Sequence, residues 1–70
     1  MNLYFIRSNG EKRLVKENIA ENEVYSHINQ YVNRLNPTYK IYYTRSWYSE
    51  DWGGTMYDVG SHSEFFLLGK

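Results

Sequence analysis

The sequence predicts a small α+β fold, with elements in the order ββαββ, in which an antiparallel sheet carries one helix on one face. Three observations predict it: an Asn-Gly pair between two short apolar runs, one stretch with helical periodicity, and a later stretch rich in aromatic and β-branched residues. The chain has 70 residues, so we expect a single domain, residues 1–70. A domain of this size buries only about 60% of the surface that its unfolded chain exposes, so the core is thin.

The first two strands are predicted around Asn9-Gly10, which separates short apolar runs at residues 3–6 and 13–16. Asn-Gly is a strong hairpin signal, because both central residues of a type I′ turn need a positive φ. A two-residue turn fixes the register, and the predicted pairs are Phe5 with Leu14 and Tyr4 with Val15. Both faces of this hairpin are then apolar, one carrying Leu3, Phe5 and Leu14 and the other Tyr4, Ile6 and Val15.

Residues 21–36 have the period of an amphipathic helix. Its apolar stripe consists of Val24, Ile28, Tyr31, Val32 and Leu35, and its polar side of Ser26, Asn29, Gln30 and Asn33. Acidic residues in the first turn and Arg34 in the last match the helix dipole. Pro37 ends the helix, because the residue before a proline avoids the α region. His27 lies at the margin of the stripe, where we expect a solvated or boundary side chain.

Residues 39–48 are rich in aromatic and β-branched types and predict the longest strand, and residues 55–59 predict its neighbour. The segment 49–54 between them carries two adjacent glycines and predicts a loop. The expected register pairs Tyr48 with Thr55, Trp47 with Met56 and Arg45 with Asp58. After a break at Gly60, the apolar run 65–68 is too short for a helix and is expected to complete the sheet as a fifth strand.

Composition and charge exclude several functional classes. Eight Lys and Arg residues balance eight Asp and Glu residues, so a general phosphate-neutralising surface of the histone kind is excluded. The chain has no cysteine, which excludes disulfides, a thiol nucleophile and a Cys-ligated zinc. No apolar run is long enough for a membrane span and MNLYFIRSNG lacks the features of a signal peptide, so we expect a cytoplasmic protein without membrane contact.

No group of residues in the sequence predicts an active site or a metal site. His62 stands between Asp58 and Glu64, but polar residues of this kind are expected in a glycine-containing turn. Ser61 and Ser63 flank that histidine without the GxSxG context of a nucleophile. The sequence also contains no HExxH motif and no paired histidines. We therefore expect no enzymatic activity, no metal and no cofactor.

Aromatic residues are concentrated in one part of the chain. Of the 13 aromatic residues, seven lie within 19 consecutive positions, namely Tyr39, Tyr42, Tyr43, Trp47, Tyr48, Trp52 and Tyr57. Trp52 lies in the acidic segment SEDWGG, where it is either an exposed anchor for a partner or a lid over the thin core. The candidate binding residues around this loop are Trp52, Trp47, Tyr48, Glu50, Asp51, Arg45 and Tyr57.

The same strands support a second interpretation, the binding of single-stranded nucleic acid or a nucleotide. Aromatic rings interleaved with cations suit base stacking, which contributes about 1 to 3 kcal/mol per base. Arg45 would supply the charge and Trp47 the stacking plane. Against this interpretation, cross-strand packing also explains Tyr-rich strands, and Glu50 and Asp51 place negative charge beside the same hairpin.

One face of the predicted sheet has no helix to cover it. Tyr4, Ile6 and Val15 are expected on this face, and contiguous exposed apolar patches usually belong to an interface. Two alternatives could cover this face. One is a second copy of the chain, which would make a homodimer, and the other is the C-terminal run 65–68 folded back over the face. Charges occur in blocks that suit docking of a protein, with +3 over residues 1–16, −3 over 17–23, +3 over 34–45 and −4 over 50–64.

Two segments, RSNGEKR at residues 7–13 and YDVGSHSEFF at residues 57–66, resemble small proteins of bacteriophages and prophages of Gram-positive bacteria. The resemblance implies a factor that acts in the host cytoplasm as a binder, an inhibitor or an anti-defence protein rather than as an enzyme. It brings no site residues with it. The sequence therefore predicts a non-enzymatic interaction module that binds a host protein, with nucleic-acid or nucleotide binding as the alternative.

Overall fold

A computed structural model describes residues 1–35, 45–58 and 64–70 of the chain. The elements in chain order are β1 (Asn2–Ile6), β2 (Lys12–Lys16), a 3-10 turn (Glu21–Glu23), α1 (Val24–Leu35), β3 (Arg45–Ser49), β4 (Gly54–Asp58) and β5 (Phe65–Gly69). The five strands form one antiparallel sheet of spatial order β2-β1-β5-β4-β3, which α1 covers on one face. The predicted α+β fold is confirmed. The start of the predicted strand 39–48, the predicted break at Gly60 and most of the turn predicted at residues 61–64 lie outside the described residues.

The turn between β1 and β2 has three residues, so the two-residue turn predicted from Asn9-Gly10 is wrong. The N–H of Gly10 donates to the Arg7 carbonyl at 2.8 Å, the N–H of Arg7 donates to the Glu11 carbonyl at 2.9 Å, and Gly10 has a φ of +88°. This is a type I turn followed by a left-handed glycine. Asn9 keeps a negative φ, and its Oδ1 accepts a hydrogen bond from the Glu11 N–H at 2.9 Å.

The extra turn residue changes the register of the hairpin, so the predicted pairs are wrong as well. Tyr4 lies opposite Leu14, and Phe5 lies opposite Arg13. Leu14 therefore shares the face of Tyr4, and it is 47% exposed. An irregularity in the pairing follows between Leu3 and Tyr4, and Val15 packs against the core on the helix side of the sheet. Leu14 and Val15 have exchanged the faces that the sequence analysis assigns to them.

The helix packs against the sheet through the predicted apolar stripe. Val24 and Ile28 are fully buried in a cluster that also contains Leu3, Ile19, Tyr57, Phe66 and Leu68. Tyr31 is half-buried, and its ring contacts those of Phe5 and Phe66 at centroid distances of 5.2 and 5.8 Å. The predicted start at Glu21 is a 3-10 turn rather than α-helix. Among the described residues no helix has the length and apolar character needed to cross a bilayer.

The C-terminal run forms the central strand of the sheet, β5, between β1 and β4. Its backbone pairs with both neighbours, so that Leu68 lies opposite Leu3 and Thr55. The alternative in which residues 65–68 fold back over the uncovered face is therefore wrong. Strand alternation sends Phe66 and Leu68 to the helix side and Phe65 and Leu67 to the opposite side.

The hairpin of β3 and β4 has the predicted register. Tyr48 pairs with Thr55, Trp47 with Met56 and Arg45 with Asp58. The connecting turn spans residues 50–53, one residue shorter at each end than the predicted loop. The turn predicted after β4 lies outside the described residues, and Asp58, the last residue of β4, is 5% exposed. Its place opposite Arg45 accounts for this, because the guanidinium supplies the carboxylate with an ionic partner at 3.5 Å.

Candidate functional site

The face of the sheet opposite α1 is called here the helix-free face. One row of side chains crosses it from edge to edge, because successive register pairs share a face. The row consists of Leu14, Tyr4, Leu67, Met56 and Trp47. Ile6 and Phe65 are also opposite each other and add a second pair to this face.

The centre of the helix-free face is closed. Ile6 and Met56 are each 4% exposed and Leu67 is 1% exposed, and the three form a second apolar cluster. Tyr4 and Phe65 are partly buried against this cluster. The sheet therefore has a core on both sides, and the central residues of this face are not free for a partner.

The rim of the same face is open around two tryptophans. A cleft of about 390 Å³ lies beside Trp47, which is 37% exposed, and Trp52, which is 39% exposed. The other lining residues come from the floor and from both flanking turns: Ile6, Arg7, Ser8, Gly10, Ser49, Asp51, Met56 and Phe65. Exposed indole surface beside a closed apolar floor is typical of binding surfaces.

Trp47 is held by contacts on two sides. Its ring meets the ring of Phe65 edge to face, with centroids 5.8 Å apart and planes at 85°. The guanidinium carbon of Arg45 lies 5.1 Å from the centroid of the indole, and the same guanidinium contacts Asp58. The indole is thus ordered before any ligand arrives, which lowers the entropy lost on binding.

Trp52 is positioned by the turn that joins β3 to β4. Ser49 accepts two hydrogen bonds, one on its carbonyl from the Gly53 N–H at 2.9 Å and one on its Oγ from the Trp52 N–H at 3.3 Å. Gly53 has a φ of +71°, a conformation that glycine adopts without strain. From the sequence, Trp52 is either an exposed anchor for a partner or a lid over the core. In the structure its side chain is neither fully exposed nor fully buried, so it is intermediate between these two alternatives.

The seven predicted site residues lie on two sides of the sheet. Trp47, Trp52, Arg45 and Asp51 belong to the helix-free face, and Glu50 is exposed in the adjoining turn. Tyr48 follows Trp47 directly, so strand alternation places it on the helix side, where it is 68% exposed.

Tyr57 is also on the helix side and is 4% exposed. Its ring lies edge to face against that of Tyr25 at 5.5 Å. Burial, with a smaller contribution from the charge of Glu21 and from Tyr25, raises the pKa of the Tyr57 hydroxyl above its ordinary value. This residue is part of the core and not of the cleft.

Residues that the sequence analysis did not assign to the site complete it. Phe65 holds Trp47, and Ile6 and Met56 form the floor. The signal for Met56 was present, because it was predicted opposite Trp47. Phe65 and Ile6 join the site through the pairing of β5 with β1 and β4, for which the local sequence has no signal.

The group of Asp58, His62 and Glu64 is only partly described, because His62 lies outside the described residues. Asp58 contacts Arg45, and Glu64 is partly buried. Within residues 1–35, 45–58 and 64–70, no three histidine or carboxylate side chains come close enough together to hold a metal ion.

No protein-family model, no curated protein and no solved structure matches the chain.

Proposed function

We propose that the chain is a non-enzymatic interaction module whose helix-free face binds a protein of a bacterial host. The observation that carries this proposal is the pair of partly exposed tryptophans, Trp47 and Trp52, beside a closed apolar floor. Tryptophan is among the residues that most often dominate the energy of protein interfaces, and it does so next to packed, dry surroundings. The resemblance to phage and prophage proteins supports a partner in the host cytoplasm, including a defence protein.

The charges at the rim suit a protein surface. Asp51 lines the cleft, and Glu50 is next to it. Arg7, on the opposite wall, forms a salt bridge with Glu11 at an N–O distance of 3.2 Å. Charges of both signs around an apolar centre set the orientation of a protein partner more than they add affinity. The arrangement does not favour a uniformly charged ligand at this cleft.

The proposal is tested by capture of a host protein from nuclease-treated lysate. Trp52 is about three-fifths buried, so its replacement by Ala would cost about 2 to 3 kcal/mol of stability. Trp52→Leu keeps most of the apolar contact and is the better probe of the indole itself. Tyr48→Leu is the matched control, because Tyr48 is an exposed aromatic residue on the helix side of β3.

We expect the wild type and Tyr48→Leu to recover the same host protein and Trp52→Leu to lose it, with circular dichroism showing all three folded. Recovery of no specific protein by the wild type, or equal losses in both variants, would contradict the proposal. Turnover of a substrate by the purified chain would contradict its non-enzymatic character.

A second candidate, binding of single-stranded nucleic acid, is favoured by two cation–ring contacts on the same face. Lys12 Nζ lies 4.2 Å from the centroid of the Tyr4 ring, and Arg45 lies over Trp47. Cations beside aromatic rings are typical of surfaces that stack bases and contact phosphates. Titration with oligonucleotides at low and high salt tests it through tryptophan fluorescence, and unchanged fluorescence at low salt removes this candidate.

A second copy of the chain is the remaining occupant to consider. The outer strand β2 carries Lys12, Arg13 and Lys16, and like charges of this kind oppose pairing of two copies along that edge. A homodimer would therefore form through the helix-free face or along the other outer strand, β3. Light scattering at micromolar concentrations measures the oligomeric state. A dimer that the Trp52→Leu substitution dissociates would indicate that the second copy binds at the cleft.

A further inference from the structure

A second cleft, of about 310 Å³, lies on the other side of the sheet between the outer strand β2 and one side of α1. Its lining residues are Leu14, Val15, Lys16, His27, Gln30, Tyr31 and Arg34. The helix residues are spaced by three or four positions and therefore follow one line along α1. Tyr31 closes the bottom of this cleft, because its ring packs on Phe5 and Phe66.

The cleft collects cations that have no acidic partner. In the described part of the chain, Arg7 and Arg13 pair with Glu11, and Arg45 pairs with Asp58. Lys16 and Arg34 make no ion pair, and both line this cleft. None of the carboxylates among the described residues lines it. A chain with zero net charge thus carries a local positive site.

The remaining polar groups of the cleft are hydrogen-bond donors of the kind that anions use. Gln30 is exposed and His27 is half-buried, so the carboxamide and the imidazole are both accessible. Val15, which packs against the core on the helix side, makes the wall on the strand side apolar. The volume is at the lower end of the about 300 to 1,000 Å³ typical of ligand pockets, so it suits a small anionic group with one attached apolar or ring portion.

We propose that this cleft binds a phosphate group, either of a free nucleotide or of a nucleic-acid backbone. Lys16 supplies a compact charge and Arg34 a planar pair of donors that matches two phosphate oxygens. Gln30 and His27 donate further hydrogen bonds to the same group. The site shares no residue with the cleft beside Trp47 and Trp52. Its test is therefore independent of the test of the proposed protein partner.

The test titrates the whole chain with two probes, ATP without divalent metal and a single-stranded oligothymidylate. Binding is followed by NMR shifts of the amides and side chains of His27, Gln30 and Arg34. The cleft variant is Lys16→Gln with Arg34→Gln. The matched control is Arg13→Gln with Lys70→Gln, which removes the same charge outside the cleft. Both members of the control pair are exposed and neither lines the cleft.

We expect the cleft variant to bind at least about tenfold more weakly than the wild type, because each charge-assisted hydrogen bond contributes about tenfold or more. The control is expected to change the affinity by less than about twofold, because neither side chain lines the cleft and exposed charges are screened by salt. Saturable binding of ATP identifies a free nucleotide as the source of the phosphate.

Binding of the oligonucleotide alone identifies a nucleic-acid strand. Two phosphate contacts then predict a loss of about sevenfold in affinity between about 50 and 200 mM salt. Absence of binding by both probes overturns the proposal, and so do equal losses in the cleft and control variants or shifts confined to Trp47 and Trp52.

Discussion

Replacement of Leu67 by alanine tests whether the centre of the helix-free face is part of the core. Leu67 is 1% exposed among Ile6, Met56 and Tyr4, although the helix covers only the other side. The substitution removes three carbon atoms, and burial of each contributes about 0.8 kcal/mol. The transfer loss is therefore about 2.4 kcal/mol, and the cavity left in the closed cluster raises the expected loss of stability to about 3 to 5 kcal/mol.

Leu14→Ala is the matched control, because Leu14 lies in the same row of the same face. It is 47% exposed on an outer strand, so about half of the transfer term is lost and no enclosed cavity forms. We expect a cost of about 1 kcal/mol.

Urea denaturation followed by circular dichroism measures both losses, with the slope m unchanged. If Leu67→Ala is unfolded without urea, Leu67→Val and Leu14→Val give the same comparison at about 1 and 0.5 kcal/mol. Equal losses at the two positions would refute the closed centre and the open rim.

Four further substitutions, one of them a control, test the core, a close approach of two strands and the pH dependence of stability. Ile28→Ala is expected to cost about 2 to 5 kcal/mol and its exposed neighbour Asn29→Ala less than about 0.5, and equal effects in urea would mean that the stripe is misassigned. In Gly54→Ala the new Cβ would overlap the Leu68 carbonyl oxygen, so we expect a loss of about 3 kcal/mol or more, and a silent variant by thermal melting would contradict the β4–β5 register. Because the pKa of Tyr57 is raised, the folded state holds this proton more tightly than the unfolded chain. Stability is then lost as the pH rises above about 10, and Tyr57→Phe should flatten that decline in melts at graded pH.

Elements with a strong local signal could be predicted from the sequence. The helix follows from its apolar stripe, and Val24 and Ile28 are buried as the period requires. The register of β3 and β4 follows from a short loop that leaves little choice of partner, and Trp47 pairs with Met56 as expected.

The first hairpin shows where a local signal falls short. Asn-Gly allows a two-residue turn with positive φ at both positions, yet here Asn9 keeps a negative φ and its side chain bonds to the Glu11 N–H. Only Gly10 is left-handed, and one added residue exchanges the faces of Leu14 and Val15. The composition of the turn does not decide between these two geometries.

Half of the candidate site depends on pairing between the two ends of the chain. Nothing local indicates that Phe65 lies opposite Ile6 and beside Trp47, because these contacts arise from the placement of β5 at the centre of the sheet. By contrast, the separation of Trp47 from Tyr48 follows from strand alternation alone. The prediction places Trp47 and Tyr48 in one site because they are adjacent in the sequence. Adjacent residues of a strand, however, lie on opposite faces of the sheet.

Photo-crosslinking from two adjacent positions of β3 tests the proposed function most directly. Trp47 and Tyr48 are replaced, one at a time, by the photoreactive residue p-benzoylphenylalanine, and the chain is irradiated in host lysate. Both side chains are exposed but lie on opposite faces of the sheet, so the two variants probe different surfaces, and the photoreactive residue keeps an aromatic side chain at each position. If the helix-free face is the binding surface, we expect one specific protein adduct from position 47 and none from position 48. The same adduct from both positions, or an adduct from position 48 alone, would contradict it.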